Sequence, residues 1–162
     1  MSAVLSDDRK YRYRLTRDLG FDGEGSCCFI MLNPSTADEE KDDPTIRRCI
    51  GYAKTFGFMF LEVVNLFAYR STSPDVLYGM SRDVAVGPDN DRHIAETCNA
   101  SRLIVCAWGN HGLLFNRAGD VLSLIRAQQG ANPMALKINR ASGQPAHPLY
   151  LRADAKLLEI KP

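Results

Sequence analysis

The stretch Cys27-Cys28-Phe29-Ile30-Met31-Leu32-Asn33-Pro34 sets the expected fold class of this chain. Its six consecutive apolar residues are typical of a strand that is covered on both faces, as in a parallel sheet. Asn33-Pro34 should end the strand, because proline has no N–H to donate to a ladder and restrains the residue before it. The sequence therefore predicts a buried strand that is followed at once by a polar turn.

Three further apolar runs have the length of buried strands, and a polar motif follows each of them. They are Phe58 to Val64 before Asn65, Leu103 to Ala107 before Trp108-Gly109, and Ala135 to Ile138 before the loop that holds His147-Pro148. Tyr11 to Leu15 alternates like an edge strand.

Helical patterns separate these strands. Asp43-Pro44 is typical of a helix start, with Asp43 as the N-cap, and Gly57 is a candidate C-cap. Helical spacing recurs over 88–99 and 113–128, while 69–87 is turn-rich and predicts a long loop with a short helical piece near 75–80. Strands that alternate with helices indicate βαβ units. We expect one domain over residues 1–162, an α/β fold with three α/β/α layers and a mainly parallel central sheet of about four strands.

The composition limits the possible functions. The formal net charge of +1 predicts no global attraction to nucleic acid, so any phosphate contact would come from a local patch. No run approaches the ~20 apolar residues that span a bilayer, and the first residues lack a signal-peptide pattern. We expect a cytoplasmic location and no membrane partner, while no pattern indicates an oligomeric state.

Cofactor motifs are missing from the sequence. The five cysteines form no CxxC pair and no Cys/His ligand spacing, which favours reduced, buried thiols and predicts neither a metal nor a cofactor. The chain has no phosphate-binding G-x-x-x-x-G-K-[ST] loop, no G-x-G-x-x-G motif and no G-x-S-x-G elbow. These absences argue against a nucleotide triphosphatase, a dinucleotide enzyme and a serine hydrolase of the elbow type.

The polar motifs should meet in space. In open α/β sheets the carboxyl ends of neighbouring strands share one crevice, and ligands bind there. Asn33, Asn65, Arg70 and His147 would then converge on one pocket. Such a set of donors and acceptors suits a flat, hydrogen-bonding ligand such as a nucleobase.

Five motifs resemble a bacterial and phage family known as domain of unknown function 1643. They are MLNPSTAD at 31–38, DPTIRRC at 43–49, VVNLFAYRSTSP at 63–74, AWG at 107–109 and HPLYL at 147–151. The resemblance spans most of the chain. It assigns the chain to a family but does not by itself give a function.

A more distant resemblance is to the uracil-DNA glycosylase superfamily. Leu32-Asn33-Pro34 is similar to its G-x-[DN]-P motif, Asn65 to its base-reading asparagine, Trp108-Gly109 to its W-G and His147-Pro148 to the start of its H-P-S-P-L loop. The resemblance implies a glycosylase-like fold and base excision from DNA, with Leu151 at the place of the duplex wedge. The chain departs from the pattern at Met31, Ser35 and Leu149-Tyr150.

Breaking an N-glycosidic bond develops positive charge on the sugar and negative charge on the departing base. Asn33 would orient the attacking water, although an amide cannot accept its proton, and loss of a general base costs about 10²–10⁴-fold in rate. Asp38, Asp42 or Asp43 could supply that base. His147 would donate to the base oxygen.

The remaining candidates would hold the ligand. Asn65 fits the paired N–H and C=O edge of a pyrimidine, beside Pro34 and Ser35, while Phe67 or Phe29 would stack on the base. Phosphate or DNA contacts would come from Arg47, Arg48, Arg70 and Leu151. Each residue also has a structural interpretation: Asn33-Pro34 as a simple turn, Trp108 as core packing, and the two adjacent arginines as a solvated helix face.

Three functions remain open. The leading hypothesis is a DNA-base N-glycosylase-like hydrolase that recognises uracil or a modified pyrimidine. The second is a binding module for a nucleobase or nucleotide that catalyses nothing, and the third is an enzyme acting on a small nucleoside-like metabolite. Their partners are DNA or a nucleobase-containing ligand.

Overall fold

The computed structural model describes residues 1–20, 22–128 and 130–162. Within them the strands are β1 (Ser2–Leu5), β2 (Arg12–Asp18), β3 (Ser26–Met31), β4 (Phe60–Asn65), β5 (Leu103–Cys106), β6 (Pro133–Ala135) and β7 (Leu158–Glu159). The α-helices are α1 (Pro44–Thr55), α2 (Asp75–Tyr78), α3 (Arg82–Val86), α4 (Asn90–Ala100) and α5 (Arg117–Arg126), and 3₁₀ helices span Asn110–Asn116 and Pro148–Tyr150. In these described ranges no helix is both long and apolar enough to cross a membrane.

The strands form one seven-stranded mixed sheet in the order β1-β2-β4-β3-β5-β6-β7. Three of the apolar runs form the adjacent parallel strands β4, β3 and β5, and the fourth parallel strand, β6, shares only Ala135 with the predicted run Ala135 to Ile138. The expectation of about four strands in a mainly parallel sheet is wrong, because β1, β2 and β7 add antiparallel pairs at the two sides. The outermost two are short, with four and two residues, and so few residues give no periodicity from which to predict a strand.

Side chains of β3 alternate between two apolar clusters, one on each face of the sheet. Cys27 and Phe29 pack in the cluster that contains the buried face of α1. Cys28 and Ile30 pack in the cluster that contains the buried faces of α4 and α5. Coverage on both faces is the reason that this strand is a continuous apolar run.

The predicted start of α1 is confirmed. The Asp43 side chain accepts a hydrogen bond of 2.8 Å from the Ile46 N–H, and Pro44 is the first helical residue. Gly57 follows the helix with a φ of +84°, a conformation that glycine adopts without strain.

Two other segments differ from their predicted form. The 69–87 segment contains two short helices rather than one, α2 and α3. The predicted 113–128 helix begins only at Arg117, because Phe115 and Asn116 have a φ of +55° and interrupt the helix there.

A β-bulge alters the alternation of β2. Val4 of β1 pairs with Arg14, and the next residue, Leu5, pairs with Arg12, which leaves Tyr13 as the extra residue. Leu15 lies on the α1 face of the sheet, whereas Tyr13 stacks on His93 of α4 with 5.0 Å between ring centroids. The bulge therefore turns Arg12 towards the α1 face. β2 is also an interior strand, flanked by β1 and β4, and not the edge strand expected from its alternation.

Two glycine-to-alanine changes should have opposite effects on stability. An added Cβ at Gly112 would lie 2.2 Å from Cδ1 of the buried Trp108, so we expect Gly112→Ala to lower the free energy of unfolding by about 1–3 kcal/mol. A Cβ at the exposed Gly51 in α1 would meet nothing within 4 Å, and Gly51→Ala should raise it by about 0.5–1 kcal/mol. Urea denaturation of both variants measures the two changes in the free energy of unfolding. Equal changes would contradict the close packing of Gly112 against Trp108.

Candidate functional site

A cavity of about 660 Å³ lies where β3, β4 and β5 end. Asn33, Asn65 and His147 all line it, so the structure brings together three of the four polar residues expected to converge. Ser35, Asp43, Trp108 and Leu151 also contribute to its wall. The shared crevice at the carboxyl ends of the parallel strands is the geometric reason for this convergence.

Asn65 is the last residue of β4 and is only 1% exposed. Neither its Nδ2 nor its Oδ1 has a hydrogen-bond partner among the residues that the structure describes. Buried polar atoms are nearly always paired, and leaving one unpaired costs about 1–3 kcal/mol. The amide thus places one donor group and one acceptor at the cavity wall without a protein partner for either.

The backbone fixes the orientation of Asn33. Its Nδ2 donates to the Ser71 carbonyl at 3.0 Å and to the Pro34 carbonyl at 3.3 Å. Because both bonds hold the nitrogen, Oδ1 is the part of the amide that can accept a further hydrogen bond. The Pro34 carbonyl also accepts from the Ser71 N–H at 2.9 Å, so Pro34 acts in holding the turn and its side chain is not part of the cavity wall.

His147 has a defined tautomer. Its Nδ1 accepts a hydrogen bond of 3.2 Å from the Leu149 N–H, which places the ring proton of the neutral form on Nε2. Burial lowers the pKa of His147, and the nearby Asp43 carboxylate opposes that shift only in part. The ring is therefore a neutral N–H donor near pH 7.

Asp43 is the carboxylate on the cavity wall in the described part of the chain. It caps α1 through one oxygen, Oδ1, which leaves Oδ2 outside that hydrogen bond. Asp38 does not line the cavity, since its Oδ1 accepts from the N–H groups of Glu40 and Lys41 in its own loop. Those backbone bonds hold the pKa of Asp38 below its usual value. Asp42 is paired with Arg17 at 2.6 Å.

The model of a protein family, described as Protein of unknown function (DUF1643), matches residues 12–149. The chain belongs to the DUF1643 family. The matched range includes the cavity residues Asn33, Asp43, Asn65 and His147, and ends before Tyr150 and Leu151. No curated protein matches the chain, and no solved structure matches it.

In this DUF1643 chain the aromatic residues expected to stack on a base do not line the cavity. Phe67 is fully buried in the cluster beside α4 and α5, where it meets Phe115 edge-on at 6.3 Å. Phe29 is fully buried in the α1 cluster. Two other aromatic residues line the cavity: Tyr150 at its rim, and Trp108, whose Nε1–H donates to Gln144 at 2.9 Å. Phe67 lies two residues after the end of β4, and its side chain points into the core cluster beside α4 and α5 instead of into the cavity.

The three arginines expected to bind phosphate also lie outside the cavity wall. Arg48 donates to the Leu151 carbonyl and lies 5.5 Å over the Tyr52 ring, and with Arg47 it borders a separate hollow of about 200 Å³ beside α1. Arg70 donates to the Arg9 carbonyl at 3.3 Å. Leu151 packs against the α1 cluster, and the protruding side chain at the cavity rim is Tyr150, 86% exposed.

Arg12 is a cavity residue that sequence reasoning missed. It is 2% exposed, and its NH1 donates to the Ala37 carbonyl at 2.7 Å. Burial lowers the pKa of Arg12 to about 10, with Asp43 opposing the shift. The alternation of Tyr11 to Leu15 predicted an edge strand, but the bulge at Tyr13 turns the Arg12 side chain towards the α1 face of the sheet. A bulge leaves no clear signal in a single sequence, so this orientation could not be predicted.

Within the described residues, no group of three or more His, Cys, Asp or Glu side chains is placed to hold a metal ion. The cysteine thiols are buried, and burial raises the pKa of Cys27, Cys49 and Cys106 well above the ordinary value. The cavity wall itself provides hydrogen-bond donors and acceptors, the Asp43 carboxylate, and the positive charges of Arg12 and Lys137.

The buried His93 and the half-buried His147 should make stability depend on pH. Burial lowers the pKa of both His93 and His147 from 6.5, so as the pH falls the unfolded chain binds protons before the folded chain does. With respect to these two groups, the free energy of unfolding should have its highest value above about pH 6.5 and should decrease below that pH. Urea midpoints at about pH 7.5 and about pH 5.5 test this, and a His93→Gln/His147→Gln double variant should lose less over that interval.

Proposed function

We propose that the cavity binds a pyrimidine base through Asn65 and that the protein hydrolyses the N-glycosidic bond of that base, in the manner of a DNA-base N-glycosylase. The unpaired amide of Asn65 carries the proposal. A side-chain amide matches the adjacent N–H and C=O groups of uracil or a modified pyrimidine, donating to one and accepting from the other. The fold supports a glycosylase-like arrangement through its four adjacent parallel strands and helices on both faces.

The other cavity residues have roles in the same reaction. A water molecule attacks C1′ of the sugar, the C1′–N bond breaks, and its electron pair leaves with the base. Asn33 Oδ1 accepts a hydrogen bond from the water, and Asp43 takes the proton that the water loses. The Nε2–H of His147 donates to the base oxygen on which negative charge develops, and the base is then protonated from solvent.

The activity can be tested on defined DNA strands. Oligonucleotides with uracil, a mismatch or a hypermodified pyrimidine are incubated with excess protein, and alkali then cleaves the strand at any abasic site. Single strands and mismatches should react best, because flipping the base costs least there. The Asn65→Leu variant, purified in parallel, controls for a contaminating glycosylase. Strand breaks with the wild type alone support the proposal, and no breaks on any substrate reject it.

A second candidate is a nucleobase-binding module that catalyses nothing. Asn33 favours it, because a side-chain amide cannot accept a proton from water as a catalytic carboxylate would. Its nitrogen is already bonded to backbone carbonyls, which leaves its oxygen to bind a ligand. Thermal stabilisation by free bases, lost in Asn33→Ala and Asn65→Ala and unaccompanied by turnover, would support this alternative.

A third candidate is hydrolysis of a small nucleoside-like metabolite. The formal net charge of +1 favours it, because a small uncharged nucleoside does not need the positive surface that a DNA strand attracts. Release of free base from nucleosides, without abasic sites in oligonucleotides, would support this candidate.

A further inference from the structure

The structure contains three arginines that are almost fully buried: Arg12, Arg17 and Arg117, each 1–2% exposed. Arg17 pairs with Asp42, and Arg117 pairs with Asp91. Arg12 has no carboxylate within 4 Å among the described residues. It is also the member of this set that lines the large cavity.

The hydrogen bonds of Arg12 leave most of its guanidinium without a protein acceptor. NH1 donates to the Ala37 carbonyl, and the buried Nε has no partner in the described residues. A buried guanidinium is costly unless an anion and hydrogen-bond acceptors match it. The planar fork of an arginine fits a phosphate, which can accept two parallel hydrogen bonds.

The surroundings favour an anion supplied from outside the chain. The Ser35 and Thr72 side chains lie on the wall of the same cavity, and hydroxyl groups are common partners of phosphate. The Asp43 and Asp38 carboxylates lie close enough for their charges to act on Arg12, and the cations Arg70 and Arg17 oppose them. Neither carboxylate forms an ion pair with Arg12 within 4 Å in the described residues.

We infer that Arg12 forms a phosphate subsite of the cavity, so that the ligand is a nucleotide whose base meets Asn65 and whose phosphate meets Arg12. This inference rests on the proposed nucleobase site and specifies its substrate class. The phosphate belongs either to a free nucleoside monophosphate or to a DNA strand. Both present the same oxygens to the guanidinium.

The test compares ligands with and without phosphate. Dissociation constants are measured by calorimetry for deoxyuridine, the four common deoxynucleosides, their 5′-monophosphates and short single strands of the same bases. For the base that binds, the phosphate should tighten binding to the wild type by about 10- to 100-fold. Preference for the monophosphate indicates a free nucleotide, and preference for the strand indicates DNA. Equal affinity for nucleoside, monophosphate and strand overturns the inference and needs no variant.

Two variants assign the effect to one side chain. Arg12→Met keeps an apolar stem and should remove the phosphate advantage while leaving nucleoside affinity within about 2-fold. Arg14→Met, on the same strand but half-exposed and 4.0 Å from Glu62, should leave the advantage unchanged. A phosphate advantage that persists in Arg12→Met overturns the inference.

Inorganic phosphate separates this inference from the proposed function. At constant ionic strength it should raise the melting temperature of the wild type more than chloride does, and this difference should vanish in Arg12→Met. If phosphate stabilises the protein and no pyrimidine ligand binds, the proposed function fails and the anion subsite stands. If pyrimidine nucleosides bind but phosphate has no effect in either assay, the subsite fails and the base site stands.

Discussion

Asn65→Leu should stabilise the ligand-free protein by about 1–3 kcal/mol and weaken nucleobase binding by about 100-fold or more. The amide is 1% exposed and unpaired at both polar atoms, so an apolar side chain with the same branching removes a desolvation cost from the folded state. The same change leaves two polar groups of a bound base without partners, each at a cost of about 1–3 kcal/mol. Urea denaturation measures the first effect, and calorimetry with a free base measures the second.

Asn90 provides the matched control. It is fully buried, and its Nδ2 donates to the Asn65 carbonyl at 2.9 Å and to the Leu66 carbonyl at 3.0 Å. Asn90→Leu should therefore destabilise the protein by about 1–3 kcal/mol, the opposite sign. Opposite signs at two buried asparagines would mark Asn65 as a residue kept for binding. Destabilisation by Asn65→Leu comparable to that of Asn90→Leu would mean that the amide serves the fold, and the argument for a base site would lose its main support.

Asp43→Asn should lower the rate of N-glycosidic cleavage by about 10²–10⁴-fold, because the amide cannot take a proton from water. Asparagine caps helices as well as aspartate does, so α1 and the free energy of unfolding should change little. Single-turnover cleavage of the best oligonucleotide from the substrate screen gives the rate. Substrate affinity should be retained, since the lost interaction belongs to the reacting water.

Asp154→Asn is the control for Asp43→Asn. Asp154 is an exposed acid paired only with its neighbour Arg152 in the described residues, and its loss should leave the rate unchanged. An unchanged rate in Asp43→Asn, with the wild type active, would show that Asp43 is not the general base. The proton that the attacking water loses would then need another acceptor, and Asn33 alone cannot provide one.

The sequence predicted the parts of the site that depend on local physics. An apolar run covered on both faces ends where a proline or a polar turn follows, so the positions of Asn33 and Asn65 at strand ends could be predicted. Asp43 and Pro44 set the start of α1 through capping alone. Parallel strands share one carboxyl edge, and from that rule followed the common cavity of Asn33, Asn65 and His147.

Tertiary structure decided which of the neighbouring candidates reach the cavity. Asp43 lies on its wall and Asp38 does not, because the Asp38 carboxylate is held by its own loop. Phe67 is turned into the opposite core, and Arg12 is turned inwards by a bulge. The local sequence sets where a strand or helix begins and ends, while the direction of a side chain beyond that end depends on contacts with residues far along the chain. The short strands β1 and β7 also depend on tertiary structure, since pairing with β2 and β6 stabilises segments too short to show a pattern of their own.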